Sequence, residues 1–173
     1  MGAESTPPRA PELVIDGLVL NQAVVADAED WAQAQDEECA RWFGWPAPPG
    51  VKRCRSYLER VVAGEFPGSF VWAIRTADGF AGGIDLSRLD DRWNVAYFVH
   101  PRFRRRGIAT AALCRVCDWA FGELRAKAVS SRVHTENTTS ARVLSRVGFS
   151  RVARVPSERG GHVDDVYELH FRR

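Results

Sequence analysis

The chain has 173 residues, 45% hydrophobic and 27% charged, with a net charge of +2. That length suits one domain burying about 70% of the surface its unfolded chain exposes, and so balanced a charge gives no overall basis for nucleic-acid binding. No apolar run approaches the ~20 residues of a membrane helix, and the start, MGAESTPPRAPE, lacks the apolar core of a signal peptide, so no membrane partner is expected and the cytoplasm is the expected location.

The first 12 residues, rich in Pro, Ser, Thr and charge, read as a flexible tail, and residues 13–173 as a single domain. Gly17 to Val25 reads as a strand. Asp27 is placed to cap one long helix carrying Trp31, Ala34, Glu38 and Trp42, ended by Pro46, Pro48, Pro49 and Gly50. A second helix over Val51 to Ala63 completes a helical hairpin, with Tyr57, Leu58, Val61 and Val62 on its buried side. Three antiparallel strands follow, Ser69 to Arg75, Phe80 to Leu86 and Trp93 to Val99, the first two joined by Ala77-Asp78-Gly79.

After His100-Pro101 comes the basic run Arg102-Phe103-Arg104-Arg105-Arg106, then Gly107 and a helix to about Phe121. Ala128 to Thr135 reads as a strand, Thr138 to Val147 as a helix, and Phe149 to Val155 with Val163 to Phe171 as a closing hairpin. A helix crossing between the strands Trp93–Val99 and Ala128–Thr135 makes those two parallel. Of the four cysteines, Cys114 and Cys117 form a C-x-x-C inside an apolar helix, so all four read as reduced thiols, with no metal site at any Cys or His spacing.

Strand, basic loop, glycine, helix is an arrangement that binds anions. The first helical turn leaves N–H groups unpaired and carries about half a positive charge. In Arg104-Arg105-Arg106-Gly107-Ile108-Ala109, glycine lets the backbone approach a phosphate, and Ala109 keeps the next turn clear. Asn137 is a good cap for the helix after it, Gly148 a C-cap and Phe149 a core residue.

The segment from Arg104 to Ala109 resembles the (Q/R)-x-x-G-x-(G/A) pyrophosphate loop of the GNAT acyltransferases. The segment from Asn137 to Phe149 is similar to the N-x-x-S…GF stretch of the branch that includes ribosomal-protein-alanine acetyltransferases. The resemblance covers roughly residues 17 to 171. It implies an α/β (α+β) GNAT fold, a mixed sheet of six to seven strands with about four helices, splayed between the strands ending near Val99 and Thr135. It implies an N-acyltransferase that moves acetyl from acetyl-CoA to a primary amine by direct attack, without a metal. The acceptor would be a protein N-terminus, a polyamine, an amino acid or an antibiotic, and a homodimer is left open.

By the same resemblance, the backbone of Phe98 and Val99 would hold the pantetheine arm. Arg104, Arg105, Arg106, Gly107, Ile108, Ala109 and Thr110 would surround the pyrophosphate, with Asn137 and Ser140 on the cofactor side of their helix. Ser140 and Glu158 map onto residues assigned catalytic roles in that branch, although Ser157 to Gly161 also reads as a polar turn. Two positions depart from the family. A glutamate frequent before the loop is replaced by Asn94, and the tyrosine acid of many GNAT enzymes by Leu144. Asp85 is a further candidate base if it faces the cleft. Trp42, Phe43 and Trp45 could line an acceptor pocket, Asp36, Glu37 and Glu38 could attract an amine, and His134 stands at a strand end near the cofactor. The alternative is a non-catalytic module on the same scaffold, binding acyl-CoA or using its arginines on nucleic acid.

Overall fold

Alternation along Ser69–Thr76 puts Phe70, Trp72 and Ile74 on one face and Val71 and Ala73 on the other, and all five are buried. A strand buried on both sides needs helices above and below it. The structure, a computed structural model, describes residues 9–89, 91–158 and 161–171. Its elements in chain order are β1 (Leu13–Ile15), β2 (Leu18–Gln22), α1 (Ala28–Ala34), α2 (Glu37–Phe43), α3 (Val51–Val62), β3 (Ser69–Thr76), β4 (Gly79–Leu89), β5 (Arg92–Val99), α4 (Ile108–Gly122), β6 (Ala128–His134), α5 (Thr138–Val147), β7 (Ser150–Pro156) and β8 (Val163–His170). The strands form one sheet in the order β1-β2-β3-β4-β5-β6-β8-β7. Every neighbouring pair is antiparallel except β5 and β6, which run parallel as the intervening helix requires.

Helices α4 and α5 cover one face over a core that includes Trp72, Ile84, Val95, Leu113, Val116 and Leu144. The other face is covered by α1 and α3 through Trp31, Cys54 and Leu58 packing on Val71, Ala73 and Phe98. The expected parallel pair, the antiparallel strands and the single mixed sheet are present, and the described residues form eight strands where six to seven were expected and five α-helices where about four were.

Two of the extra elements correct the reading of the N-terminal region. The strand expected from Gly17 to Val25 is the second arm of a hairpin that turns at Asp16 and Gly17, both left-handed, and it ends at Gln22 before a 3-10 turn begins at Val25. The one long helix expected from Asp27 is two. Gln35 leaves helical geometry at φ −106°, ψ 82°, and Asp36 restarts the chain as the N-cap of α2, its side chain accepting a hydrogen bond from the Cys39 N–H. Within the expected N-terminal tail, residues 1–8 lie outside the described residues. Ala10 is buried with its N–H on Gln22 Oε1 (2.7 Å), and the Pro11 carbonyl accepts from Trp72 Nε1 (2.7 Å).

The fit of β4 against β5 depends on two glycines. A Cβ at Gly82 would lie 2.2 Å from the Phe98 carbonyl oxygen, and one at Gly83 would lie 2.7 Å from both the Phe98 ring and Trp31. These absences let the Phe98 ring stand edge-on to Trp31 with centroids 5.0 Å apart, which fixes β5 beside the first helix. Gly83→Ala should therefore cost about 1–3 kcal/mol by overpacking and lower the Tm by about 2–4 °C per kcal/mol. Gly122→Ala, with open space around the added methyl at the end of α4, should leave the Tm unchanged or raise it. Thermal unfolding followed by circular dichroism compares the two.

At the other end of the sheet, Asp165 on β8 accepts from Arg154 Nε (2.8 Å) and Nη2 (3.1 Å) and from Arg151 Nη1 (3.4 Å). The Arg154 hydrogen bonds hold its carboxyl below the ordinary value of 3.8. A carboxylate whose folded pKa is depressed stabilises the fold above its unfolded pKa and loses that contribution as pH falls through the folded one. Asp165→Asn should accordingly lower the Tm at neutral pH, and parent and variant curves should converge below pH 3.8.

Candidate active site

The parallel ladder between β5 and β6 is short. Trp93 pairs with Val129 and Asn94 with Ser130, and the hydroxyls of Ser130 and Ser131 donate to the carbonyls of Trp93 (3.1 Å) and Val95 (3.0 Å). Pairing stops there, so the two strands part towards their C-terminal ends and leave a cleft with backbone groups on both lips. Counting four residues on from the Asn94–Ser130 pair sets Phe98 and His134 level across the opening. This is the splay expected between the strands ending near Val99 and Thr135.

At the open end of β5 the chain makes an anion cradle. Arg105 and Gly107 are both left-handed, with φ of 63° and 76°, and Arg106 lies between them. Backbone of alternating hand turns successive N–H groups inward, and a non-glycine residue in this region costs about 1–2 kcal/mol. No side chain caps α4. Its N-cap is Gly107, the first internal bond runs from Ala111 N–H to the Gly107 carbonyl (3.0 Å), and a Cβ on Gly107 would meet nothing within 4 Å. The N–H groups of Ile108, Ala109 and Thr110 thus open a helix with no intrahelical acceptor, over a clear space suited to a pyrophosphate.

The arginines divide. Arg105 and Arg106 are exposed at the loop, Arg106 lying 3.9 Å from Asp78. Arg104 points elsewhere, to Asp36 (2.8 and 2.9 Å) and Glu38 (2.7 Å) at the start of α2 and to the Val99 carbonyl (3.2 Å). Asp36 and Glu38, expected to attract an amine, are the partners of this guanidinium.

On the floor of the cleft, facing α4 and α5, the Tyr97 hydroxyl lies 2.8 Å from Ser140 Oγ in the first turn of α5. The Asn137 carboxamide oxygen accepts from the Ser140 N–H (3.0 Å), so Asn137 is the N-cap that sets Ser140 in place. Burial pushes the Tyr97 phenol up to about 12, with the Ser140 hydrogen bond pulling the other way, so it is a neutral phenol near neutral pH. Leu144, which the resemblance sets where a tyrosine acid is expected, is fully buried in the core. Tyr97, on β5, places a phenol on this floor. The sequence signal for it was its period-two spacing with Val95 and Val99, which sets it on their face.

Glu158 stands outside this floor. It is exposed at the β7–β8 connection and bonds Arg132 of β6 (2.9 Å), and two residues of the expected turn, 159 and 160, lie outside the described residues. Asp85 pairs in register with Val71 and Ala96 and so faces α1 and α3, half-buried. There its charge, after burial, raises the pKa of Tyr57. His134 Nδ1 accepts from the Glu136 N–H (3.1 Å). Its ring meets Trp42 (5.4 Å) and stacks on His162 (4.5 Å), whose Nε2 lies 3.3 Å from Asp164. Phe43 and Trp45 stack on each other at 4.9 Å. The four cysteines are free thiols, and burial raises the pKa of each, Cys39 to about 11. Among the described residues no group of three or more His, Cys, Asp or Glu could hold a metal, and no helix is long and apolar enough to cross a membrane.

Known proteins share this fold. The sequence model of the acetyltransferase (GNAT) domain matches residues 17–150. The chain is 26% identical over 148 residues to the uncharacterized N-acetyltransferase YoaA of Bacillus subtilis (strain 168), covering 82% of this chain and 84% of that protein. Among solved structures it is similar to RimL, the ribosomal L7/L12 alpha-N-protein acetyltransferase in complex with coenzyme A, with a TM-score of 0.81, 12% identity and coverage of 92% and 98% of the two chains. It is also similar to the microcin C7 self immunity acetyltransferase MccE in complex with acetyl-CoA and AMP, with a TM-score of 0.79, 16% identity and coverage of 91% and 94%. At such identities the structures speak for the fold, and the sequence match over most of the chain, joined to the splayed strands and the anion cradle, makes this protein a member of the GNAT acetyltransferase family.

Proposed function

We propose that the chain transfers an acetyl group from acetyl-CoA to a primary amine by direct attack, within the domain formed from residue 13 onward and in the cytoplasm. The observation that carries this reading is the cradle at Arg105 to Thr110 opening onto the gap between β5 and β6. The pyrophosphate rests on the N–H groups of residues 105–110 with Arg105 and Arg106 beside it. The pantetheine arm lies along β5 at Phe98 and Val99, beyond the point where pairing with β6 stops, and Asn137 sets the helix start on the far lip. The amine nitrogen attacks the thioester carbon, its proton passes to a base, and the C–S bond breaks with the electron pair going to sulfur. A backbone donor aligned on the developing oxyanion contributes about 3–4 kcal/mol. Ser140, hydrogen-bonded to neutral Tyr97, supplies the proton that the departing thiolate takes up. Glu158, ion-paired and solvated on the rim, fits the attraction of an ammonium better than the removal of its proton.

Incubation with acetyl-CoA and a panel of amines, comprising an alanine-initiated peptide, spermidine, free amino acids and an aminoglycoside, followed by mass spectrometry, tests the reading. A gain of one acetyl group on one class identifies the acceptor, and a longer acyl donor run in parallel separates carrier recognition from acyl choice. No transfer to any of them by protein that binds acetyl-CoA favours the second reading, a non-catalytic acyl-CoA binder. Asn94 and buried Leu144, at the two usual proton-transfer positions, are the observations behind that alternative. The nucleic-acid reading is weakened by the engagement of Arg104 with carboxylates and of Arg102 with the Asp78 carbonyl (3.0 Å).

A further inference from the structure

Arg104 occupies the first position of the pyrophosphate motif, yet its donors are spent. A guanidinium has five N–H groups, and here Nε bonds the Val99 carbonyl, Nη1 bonds Asp36 and Glu38, and Nη2 bonds Asp36 and lies 3.7 Å from Cys39 Sγ. Two carboxylates against one guanidinium leave this spot with an excess of negative charge, which repels a phosphate. Burial acts to raise the Asp36 pKa, but the Arg104 and Cys39 hydrogen bonds outweigh it and the net shift is downward, so the carboxylate stays charged through the neutral range.

The helix held by these bonds touches the other lip as well. Two turns' worth of chain carries α2 from Asp36 to Arg41 and Trp42. There Arg41 pairs with Glu136 (3.2 Å) and Trp42 packs on His134 (5.4 Å), both at the end of β6. The helix is bounded by non-helical Gln35 and left-handed Gly44, which set it off from α1 and α3, and it buries Cys39 and Ala40 beneath it.

We propose that Arg104 is a positioning residue and not a cofactor ligand, and that through Asp36 it straps α2 across the mouth of the cleft, from the β5 lip to the β6 lip. The inference rests on the placement of acetyl-CoA in that cleft. The arm of the cofactor then enters or leaves as α2 lifts, and the acceptor wall is assembled when the strap is down. Arginine is needed here for its bidentate fork, which lysine lacks.

The experiment is stopped-flow and calorimetric titration of the full chain with acetyl-CoA, for the parent and for Arg104→Lys, Asp36→Asn and Trp42→Ala. Asparagine still caps α2, so Asp36→Asn keeps the helix while weakening the strap. With the strap loosened, association and dissociation rates should rise together by about threefold to tenfold in all three variants while Kd stays within about threefold. A pyrophosphate ligand behaves differently. In that case Arg104→Lys alone weakens Kd by tenfold or more through faster dissociation, and Asp36→Asn tightens binding by freeing the guanidinium. That pattern overturns the proposal, as do rates unchanged from the parent in all three variants. Failure of the parent itself to bind acetyl-CoA is a separate result, which removes the cofactor placement and the strap together.

Discussion

Gly107→Glu should lower acetyl-CoA affinity by at least about a hundredfold, or about 2.7 kcal/mol, while the protein stays folded. A Cβ added at Gly107 meets no atom of the described residues within 4 Å, so a side chain there starts into open space. In the proposed placement the pyrophosphate needs that same space, and the new carboxylate brings a negative charge to a cradle of N–H groups. The backbone penalty for a side chain at φ 76° is about 1–2 kcal/mol, a Tm loss of a few degrees in a chain of this size. Gly107→Ala carries nearly the same backbone penalty without the charge or the length. Calorimetry on the pair therefore isolates occlusion from strain: the glutamate variant should lose binding, and the alanine variant should retain most of it. Equal affinity of the glutamate variant and the parent would mean that the phosphates lie elsewhere.

The second large effect is on turnover. Ser140→Ala should reduce kcat by about a hundredfold, the lower end of what a positioned proton donor contributes, with acetyl-CoA Kd little changed. Tyr97→Phe should act on the same step, since the two hydroxyls are 2.8 Å apart. Two groups that work as one unit are not additive, so the double variant should be no slower than the slower single one. Because burial holds the Tyr97 phenol at about 12, its ionisation should leave no limb in the rate profile below pH 10. Additive losses in the double variant, or a tyrosine limb near neutral pH that vanishes in Tyr97→Phe, would separate the two hydroxyls and assign them different roles.

Much of this could be read from sequence because its causes are local. Alternation in Ser69–Thr76, the glycine after the arginine run and the crossover helix each fix an element or a direction within a few tens of residues. What escaped depends on partners far apart in the chain. The helix from Asp27 reads as continuous, since neither Gln35 nor Asp36 is a strong breaker. The break carries a local cap, Asp36 accepting from the Cys39 N–H, and a distant partner, Arg104, 68 positions away. The motif gives the position of Arg104 and not the direction of its side chain, which in the structure runs to Asp36 and Glu38. Tyr97 was passed over for a similar reason, its partner Ser140 lying 43 positions on. The three residues of β1 are too few for an alternation to be seen, and only the left-handed pair Asp16 and Gly17 turns them into a hairpin arm.

The most direct measurement is calorimetric titration of the purified chain with acetyl-CoA, with coenzyme A and duplex DNA as comparisons. The cleft between β5 and β6 and the cradle at Arg105 to Thr110 call for saturable binding of one acetyl-CoA per chain, binding of coenzyme A as well, and none of the DNA. A folded protein that binds neither acetyl-CoA nor coenzyme A would contradict the account at its centre.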